Sequence, residues 1–149
     1  MKLRSMDRQS LNTSLTHFSK VQIADKDGDL DRDGYTSAAW SGNAFSNGAT
    51  GTINWVTAFA LPEKPKWVEL FVSVRDSASA GGDYWIGFKA KNTTTNYSQI
   101  CRCERAINDA YRSHSIGVPV ADDGTTYYAI TASGVNTLDI FIRVNAWIR

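Results

Sequence analysis

The chain has 149 residues, of which 42% are hydrophobic and 21% are charged, and its formal net charge at pH 7 is +1. This composition is typical of one folded globular domain and excludes an intrinsically disordered chain. A net charge near zero gives no general attraction to nucleic acid or anionic lipid, and no apolar run approaches the roughly 18 residues that span a bilayer. Neither a nucleic-acid partner nor a membrane partner is therefore expected.

Residues 1–24 are predicted to form an N-terminal arm or docking segment, followed by a single β-sandwich domain over residues 25–149. The arm is basic, with Lys2, Arg4, Arg8 and Lys20. A helix and an extended arm that docks on a neighbouring molecule both fit its pattern. Because no apolar stretch follows the first basic residues, no secretory signal peptide is expected.

An acidic loop over residues 25–34 carries the most specific chemical pattern in the chain. Its five carboxylates alternate along the sequence as Asp25, Asp27, Asp29, Asp31 and Asp33. Calcium takes about 6–8 oxygen ligands, and carboxylates at every second position can surround one ion. The loop opens like an EF-hand, but Trp40 stands where the closing glutamate would be. Two interpretations are open, a structural Ca²⁺ site and a solvated acidic turn that Lys26 and Arg32 partly neutralise.

Residues 35–52 are rich in small and polar side chains and predict a long irregular excursion, anchored by Tyr35, Trp40 and Phe45. A strand is expected from Thr52 to Ala60. Leu61 and Pro62 then end it.

From residue 66 onwards, apolar side chains occupy every second position in segments that turn residues separate. This period of two is that of pleated strands, and the spacing of the turns favours an antiparallel β-sandwich or jelly roll. We therefore expect an all-β protein with at least about seven strands and less than about 15% helix. The predicted strands are 66–75, 83–90, 97–104, 114–120, 125–132 and 138–147.

The last of these strands alternates most regularly and predicts an inner strand of the core. Its aliphatic positions should be buried against those of the 66–75 strand. The first set is Leu138, Ile140, Ile142, Val144 and Ala146, and the second is Val68, Leu70, Val72 and Val74. The alternate positions of the last strand, from Asp139 to Trp147, are assigned to its opposite face.

Cys101 and Cys103 lie two apart in a strand-like run, so both thiols should point to one face. Their Cβ atoms would be about 6–7 Å apart, which is too far for a relaxed disulfide. Structural thiols are favoured, with a bridge between subunits or a metal contact as the alternative.

No catalytic constellation is recognisable in the sequence. His17 and His114 have no nucleophile motif beside them, and nothing singles out a carboxylate pair among Glu63, Glu69 and Glu104. We therefore expect a protein that is not an enzyme.

Four tryptophans are candidates for an aromatic binding or interface surface: Trp40, Trp67, Trp85 and Trp147. Aromatic faces stack on the apolar faces of sugars, and they are also enriched at protein interfaces. Ordinary packing is the competing interpretation.

Five segments follow one another in a characteristic order over about two-thirds of the chain. They are a strand ending in proline, an Asp-Gly hairpin, a tyrosine strand, an Ala-Ser-Gly turn and an aliphatic last strand. The segments are Ile53–Trp55, Leu61–Pro62, Trp67–Val74, Val118–Tyr128, Ala132–Gly134 and Asn145–Trp147. In this order residues 53–149 resemble the small β-sandwich modules of bacteriophage virion proteins, such as tail-fibre, tail-tip, head-fibre and decoration proteins. The resemblance implies an oligomeric virion part, often a trimer, that is made in the host cytoplasm and displayed on the particle.

The resulting hypothesis is a non-enzymatic virion protein that acts through homo-oligomeric assembly, with its arm contacting other virion proteins. The first alternative is a carbohydrate-binding or receptor-binding β-sandwich module, whose partner would be a host surface glycan. A small lyase or hydrolase on the same fold is a third.

Overall fold

A computed structural model describes residues 21–23, 34–78, 82–91, 96–103 and 109–148. Most of the predicted arm and all five aspartates of the acidic loop lie outside these residues. Within them, nine strands and one short helix follow in chain order: β1 Val21–Ile23, β2 Tyr35–Phe45, β3 Thr50–Asn54, α1 Trp55–Phe59, β4 Trp67–Asp76, β5 Trp85–Lys89, β6 Gln99–Arg102, β7 Arg112–Pro119, β8 Thr125–Thr131 and β9 Leu138–Ile148. The prediction of at least seven strands is confirmed.

The strands form two antiparallel sheets. In the first sheet, β1 and β2 pair with successive stretches of β9, which is followed by β4 and β7. The second sheet has the order β3-β8-β5-β6. Apart from β1, this gives eight strands in two groups of four, β2-β9-β4-β7 and β3-β8-β5-β6. That order is the one of a jelly roll, so the predicted fold class is confirmed.

The core lies between the two sheets and contains the aliphatic sets that the alternation predicts. Eight of these side chains have no exposed surface: Val68, Leu70, Val72, Val74, Leu138, Ile140, Ile142 and Val144. They lie side by side on the neighbouring strands β4 and β9 of the first sheet, as in the cross-strand pairs of Val72 with Ile142 and Val74 with Ile140. From the second sheet, Ile86 and Phe88 complete the core.

The alternation of β9 breaks near its end, and this changes the position of Trp147. The register between β4 and β9 shifts between Glu69, opposite Ala146, and Leu70, opposite Val144. The irregularity moves Ala146 to the outer face, although only 7% of it is exposed, and turns the side chain of Trp147 into the core. The predicted assignment of Trp147 to the face opposite the aliphatic set is therefore wrong.

Residues 35–45 differ from the expected irregular excursion, because they pair with β9 as strand β2. The pairing is nevertheless uneven, with register shifts between Thr36 and Ser41 and between Ser41 and Asn43. Trp40 lies within the unpaired stretch and is only 6% exposed. Its ring stacks on Phe45 at a centroid distance of 4.9 Å. The irregular stretch of β2 therefore allows the ring of Trp40 to be buried.

The expected strand at 52–60 ends early because Asn54 caps a helix. The side chain of Asn54 accepts a hydrogen bond from the backbone N–H of Thr57, and Ala60 ends the helix in a left-handed conformation. Trp55 and Phe59 are buried by this single turn. Among the described residues α1 is the only helix, and none there is long and apolar enough to cross a membrane.

Asp76 ties the end of β4 to the turn between β8 and β9. It is 3% exposed, and its carboxylate accepts hydrogen bonds from the backbone N–H and hydroxyl of Ser133 at 2.9 and 2.5 Å. Thr137 and the backbone N–H of Ala78 donate two more, at 3.3 and 3.1 Å. Burial alone would raise the pKa of Asp76, but these hydrogen bonds outweigh burial and lower its pKa. The charged carboxylate therefore stabilises the junction between the two sheets.

Candidate functional site

The outer face of the second sheet carries a row of aromatic rings around one lysine. Because Ile86 and Phe88 point into the core, the alternate positions of β5 point outwards. We call Trp85, Lys89, Tyr97 and Tyr127 the aromatic row. Trp85 and Tyr97 meet edge to face with their centroids 5.1 Å apart. The ammonium group of Lys89 lies 5.1 Å from the centroid of Tyr97 and 4.9 Å from that of Tyr127.

Gly87 allows the rings at one end of the aromatic row to lie close to the sheet. An added Cβ at this position would come within 2.8 Å of ring carbons of both Trp85 and Tyr97. Any other residue would therefore push the two rings away from the backbone. The glycine makes this end of the row flat.

Lys89 is an unusual residue in this row because it is only 7% exposed. A cation between aromatic faces is attracted by the negative π-electron density, and the attraction grows as water is excluded. The same burial raises the pKa of Tyr97, with the neighbouring Tyr127 as a smaller cause. Lys89 therefore holds two tyrosine rings in place on the outside of the sheet.

A cavity of about 370 Å³ opens beside Tyr127. It is lined by Thr52 of β3, by Ala90 and Lys91 after β5, by Ala121, Asp122 and Asp123 of the turn between β7 and β8, and by Thr125 and Tyr127 of β8. Because β7 and β8 belong to different sheets, the predicted Asp-Gly hairpin is wrong, and this turn crosses from one sheet to the other. Asp123 is held by Thr125, whose backbone N–H and hydroxyl donate to its Oδ1 at 3.0 and 2.7 Å. These bonds lower the pKa of Asp123, so its carboxylate is charged at neutral pH.

The outer face of the first sheet combines aromatic rings with arginines. Phe71 of β4 and Phe141 of β9 meet edge to face at 6.3 Å, and the guanidinium carbon of Arg143 lies 5.2 Å from the centroid of Phe71. Trp67 lies on the same face and covers Gly117, where an added Cβ would come within 2.2 Å of its ring. We call Trp67, Phe71, Phe141 and Arg143 the aromatic–arginine face.

Arg75 marks the end of this face and is fixed by carboxylates. It forms ion pairs with Asp139 and, at 3.3 Å, with Asp109, and it stacks 4.8 Å from the ring centroid of Tyr111. The hydrogen bond that the Arg75 guanidinium donates to the Asp139 carboxylate is the main reason that the pKa of Arg75 is raised. Tyr111 is 55% exposed, so this end of the face presents a tyrosine to solvent.

The four candidate tryptophans divide into two pairs. Trp40 and Trp147 belong to the core. Trp67 and Trp85 are partly exposed, one on the outer face of each sheet. The prediction of a single aromatic surface is thus replaced by two separate faces.

Three residues of the aromatic row were missed in the sequence. Lys89 occupies a position of β5 that the period of two assigns to the face opposite Ile86 and Phe88, whereas the sequence assigns no face to Tyr127. The pairing of Lys89 with Tyr127 across β5 and β8 was the missing information. Tyr97 lies just before β6, and no local pattern predicts where its ring lies.

The predicted metal ligands Asp25, Asp27, Asp29, Asp31 and Asp33 all lie outside the described residues. Among the residues that are described, no group of three or more histidine, cysteine or acidic side chains could hold a metal ion. The calcium site therefore stays a prediction.

The two cysteines are free thiols. Cys101 is buried, and burial raises its pKa to about 12. Burial also raises the pKa of the Cys103 thiol, to about 11. Both are therefore protonated at neutral pH, which suits structural thiols and disfavours nucleophilic chemistry.

Of the two histidines, His17 lies outside the described residues. His114 is exposed on β7 and lines a second opening of about 300 Å³ with Arg102, Cys103, Arg112 and Ser113. Glu104 also lies outside the described residues. Glu63 and Glu69 are described and partly exposed.

No family model matches the chain, and no curated protein matches it. Among solved structures, the coat protein of Tobacco streak virus is similar over 81% of this chain and 88% of that chain, with 14% sequence identity and a TM-score of 0.40. The assignment of the jelly roll rests on the strand order of this chain rather than on that overlap.

Proposed function

We propose that the protein is a non-enzymatic structural component of a bacteriophage virion, a fibre, tail-tip or capsid decoration protein that acts through oligomeric assembly. The observation that carries the proposal is the strand order of the two sheets, β2-β9-β4-β7 and β3-β8-β5-β6. Jelly rolls of this kind recur in viral capsid proteins and also in lectin domains and cupins. The resemblance of residues 53–149 to phage virion modules favours the first of these classes.

The aromatic–arginine face is the surface through which copies of the chain would meet. Interfaces are enriched in aromatic residues and arginine, and Phe71, Phe141 and Arg143 combine both on one side of a sheet. The rings are partly exposed in the single chain, so contact with a second copy would remove further apolar surface from water. We propose a homo-oligomer, with a trimer favoured, in which residues 1–24 contact other virion proteins.

Particle composition tests this proposal. Phage particles are purified on a density gradient from a lysate in which this chain is produced, and they are probed for the chain with a specific antibody. The chain should band with the particles in fixed proportion to the major capsid protein after a high-salt wash. Presence in the lysate with absence from washed particles would contradict the virion role.

A carbohydrate-binding or receptor-binding module is the second candidate, and the aromatic row is the observation that favours it. Trp85, Tyr97 and Tyr127 present rings on a sheet face that a glycan could reach from solvent. The two candidates predict different consequences of mutation, because assembly depends on the first sheet and glycan binding on the second.

A further inference from the structure

We propose that the cavity beside Tyr127 is a binding site for an uncharged carbohydrate. The cavity measures about 370 Å³, within the range of about 300–1,000 Å³ that small-molecule sites occupy. It adjoins the aromatic row, of which Tyr127 is the end member. This binding activity goes beyond the structural role proposed above, and it rests on the second candidate function, for which it names the site and the class of sugar.

The lining of the cavity complements the two kinds of surface that a sugar ring presents. A sugar ring has an apolar C–H face and an edge of hydroxyl groups. The Tyr127 ring and the methyl groups of Ala90 and Ala121 offer an apolar wall, on which the C–H face can stack. The carboxylates of Asp122 and Asp123 offer strong hydrogen-bond acceptors to hydroxyl groups.

The charges of the lining select an uncharged sugar. Asp122, Asp123 and Lys91 line the cavity, and Lys64 lies close enough to Asp123 to contribute to the lowering of its pKa. Two carboxylates are thus matched by two ammonium groups, so the site offers no net charge to attract an acidic or a basic sugar. A neutral sugar needs no such attraction and gains charge-assisted hydrogen bonds.

The cavity is held in shape by bonds within the chain. The turn between β7 and β8 is closed by two backbone hydrogen bonds of 2.9 Å, in which the N–H of Ala121 donates to Thr125 and the N–H of Gly124 donates to Ala121. Gly124 has a φ of +85°, which suits glycine and fixes the turn. The ammonium group of Lys89, on the neighbouring strand β5, contacts the Tyr127 ring and fixes its position. Binding therefore requires little ordering of the protein, which favours affinity.

The test uses the full chain and a fixed panel of probes: glucose, galactose, N-acetylglucosamine, lactose and cellobiose. Saturation-transfer NMR screens the panel, and titration calorimetry measures the sugars that bind. We expect saturable binding of at least one sugar. Tyr127→Ala should weaken it at least about tenfold, while Tyr127→Phe, which keeps the ring, should weaken it much less. Tyr111→Ala is the matched control, since it removes an exposed tyrosine from the other sheet's side of the molecule.

Three results would overturn this assignment. The first is the absence of saturable binding across the whole panel. The second is equal loss of binding in Tyr127→Ala and Tyr111→Ala, or no loss in either. The third is a change in solution mass caused by Tyr127→Ala with its melting temperature unchanged, which would make the cavity a contact between copies. Loss of assembly with sugar binding intact would contradict the structural proposal alone.

Discussion

The two outer faces carry the same kinds of side chain but hold their cations differently. On the first sheet Arg75 is fixed by carboxylates at the edge, and Arg143 lies over Phe71. On the second sheet Lys89 is enclosed between Tyr97 and Tyr127, beside a cavity. The first arrangement gives a broad ring-and-guanidinium surface that suits another protein. The second gives a concave corner with fixed hydrogen-bond acceptors, which suits a small polar ligand. Two faces with similar side chains thus present different binding surfaces, because their cationic side chains lie in different places.

The largest expected loss of stability distinguishes the core from the aromatic–arginine face at two adjacent residues of β9. Ile142 has no exposed surface, whereas Phe141 points outwards and is partly exposed. Ile142→Ala should lower the free energy of unfolding by roughly 2–5 kcal/mol because it empties a packed aliphatic site. Phe141→Ala should lower it by only about 1 kcal/mol. Urea denaturation of both variants measures the difference. A loss below about half a kcal/mol for Ile142→Ala would mean that the faces of β9 are reversed.

The second prediction concerns Asp76, whose charged carboxylate joins the end of β4 in the first sheet to the turn between β8 and β9. Asp76→Ala removes three hydrogen bonds between β4 and the β8–β9 turn and a fourth from the backbone N–H of Ala78, and it should cost roughly 2–3 kcal/mol. Because the folded-state pKa of Asp76 is lowered from 3.8, its contribution is fully present above pH 3.8 and is lost as the pH falls through the lower folded value. Denaturation curves of wild type and variant should therefore converge in acid. A constant difference down to pH 2 would contradict the proposed role of the charge.

The calcium prediction concerns the five aspartates that precede Gly34, which lie outside the described residues. We propose that Asp25, Asp27, Asp29, Asp31 and Asp33 bind a structural Ca²⁺. Binding to the folded state alone would stabilise it by about 2.7 kcal/mol at a hundredfold excess over Kd. Melting curves in millimolar calcium and in chelator should differ for wild type and coincide for Asp29→Asn/Asp31→Asn. Identical wild-type curves would favour the solvated acidic turn.

The smallest expected effect is confined to the aromatic row. Gly87→Ala introduces a Cβ within 2.8 Å of Trp85 and Tyr97, and it should cost about 1 kcal/mol because surface rings can move. The near-ultraviolet circular dichroism of the tryptophan should change as well. In a Trp85→Ala background the same substitution should cost less, since one of the two clashing rings is gone. An equal cost in both backgrounds would show that the rings do not set the preference for glycine.

The regular part of this fold was predictable from residue types alone. On β4 and β9, burial of one face forces alternation, so Val72 and Ile142 could be placed in the core from the sequence. The end of β9 could not be predicted, because the irregularity that turns Trp147 inwards depends on its register with β4. The same holds for Trp40, whose position follows from an unpaired stretch of β2.

The candidate site was predictable only in part, for the same reason. Trp85 was expected on a surface by its strand position. The contacts of Lys89 with Tyr97 and Tyr127 join residues from three separate segments, and local periodicity carries no information about such neighbours.

Sedimentation velocity at micromolar concentration tests the central claim, that the chain assembles through its first sheet. Wild-type protein should sediment as a multiple of the 16.4 kDa chain, with three copies favoured. Phe71→Ser/Phe141→Ser should shift it towards the monomer, while Tyr127→Ser, the matched change on the second sheet, should leave the mass unchanged. A wild-type monomer, or an oligomer that the Phe71→Ser/Phe141→Ser variant preserves, would contradict the account.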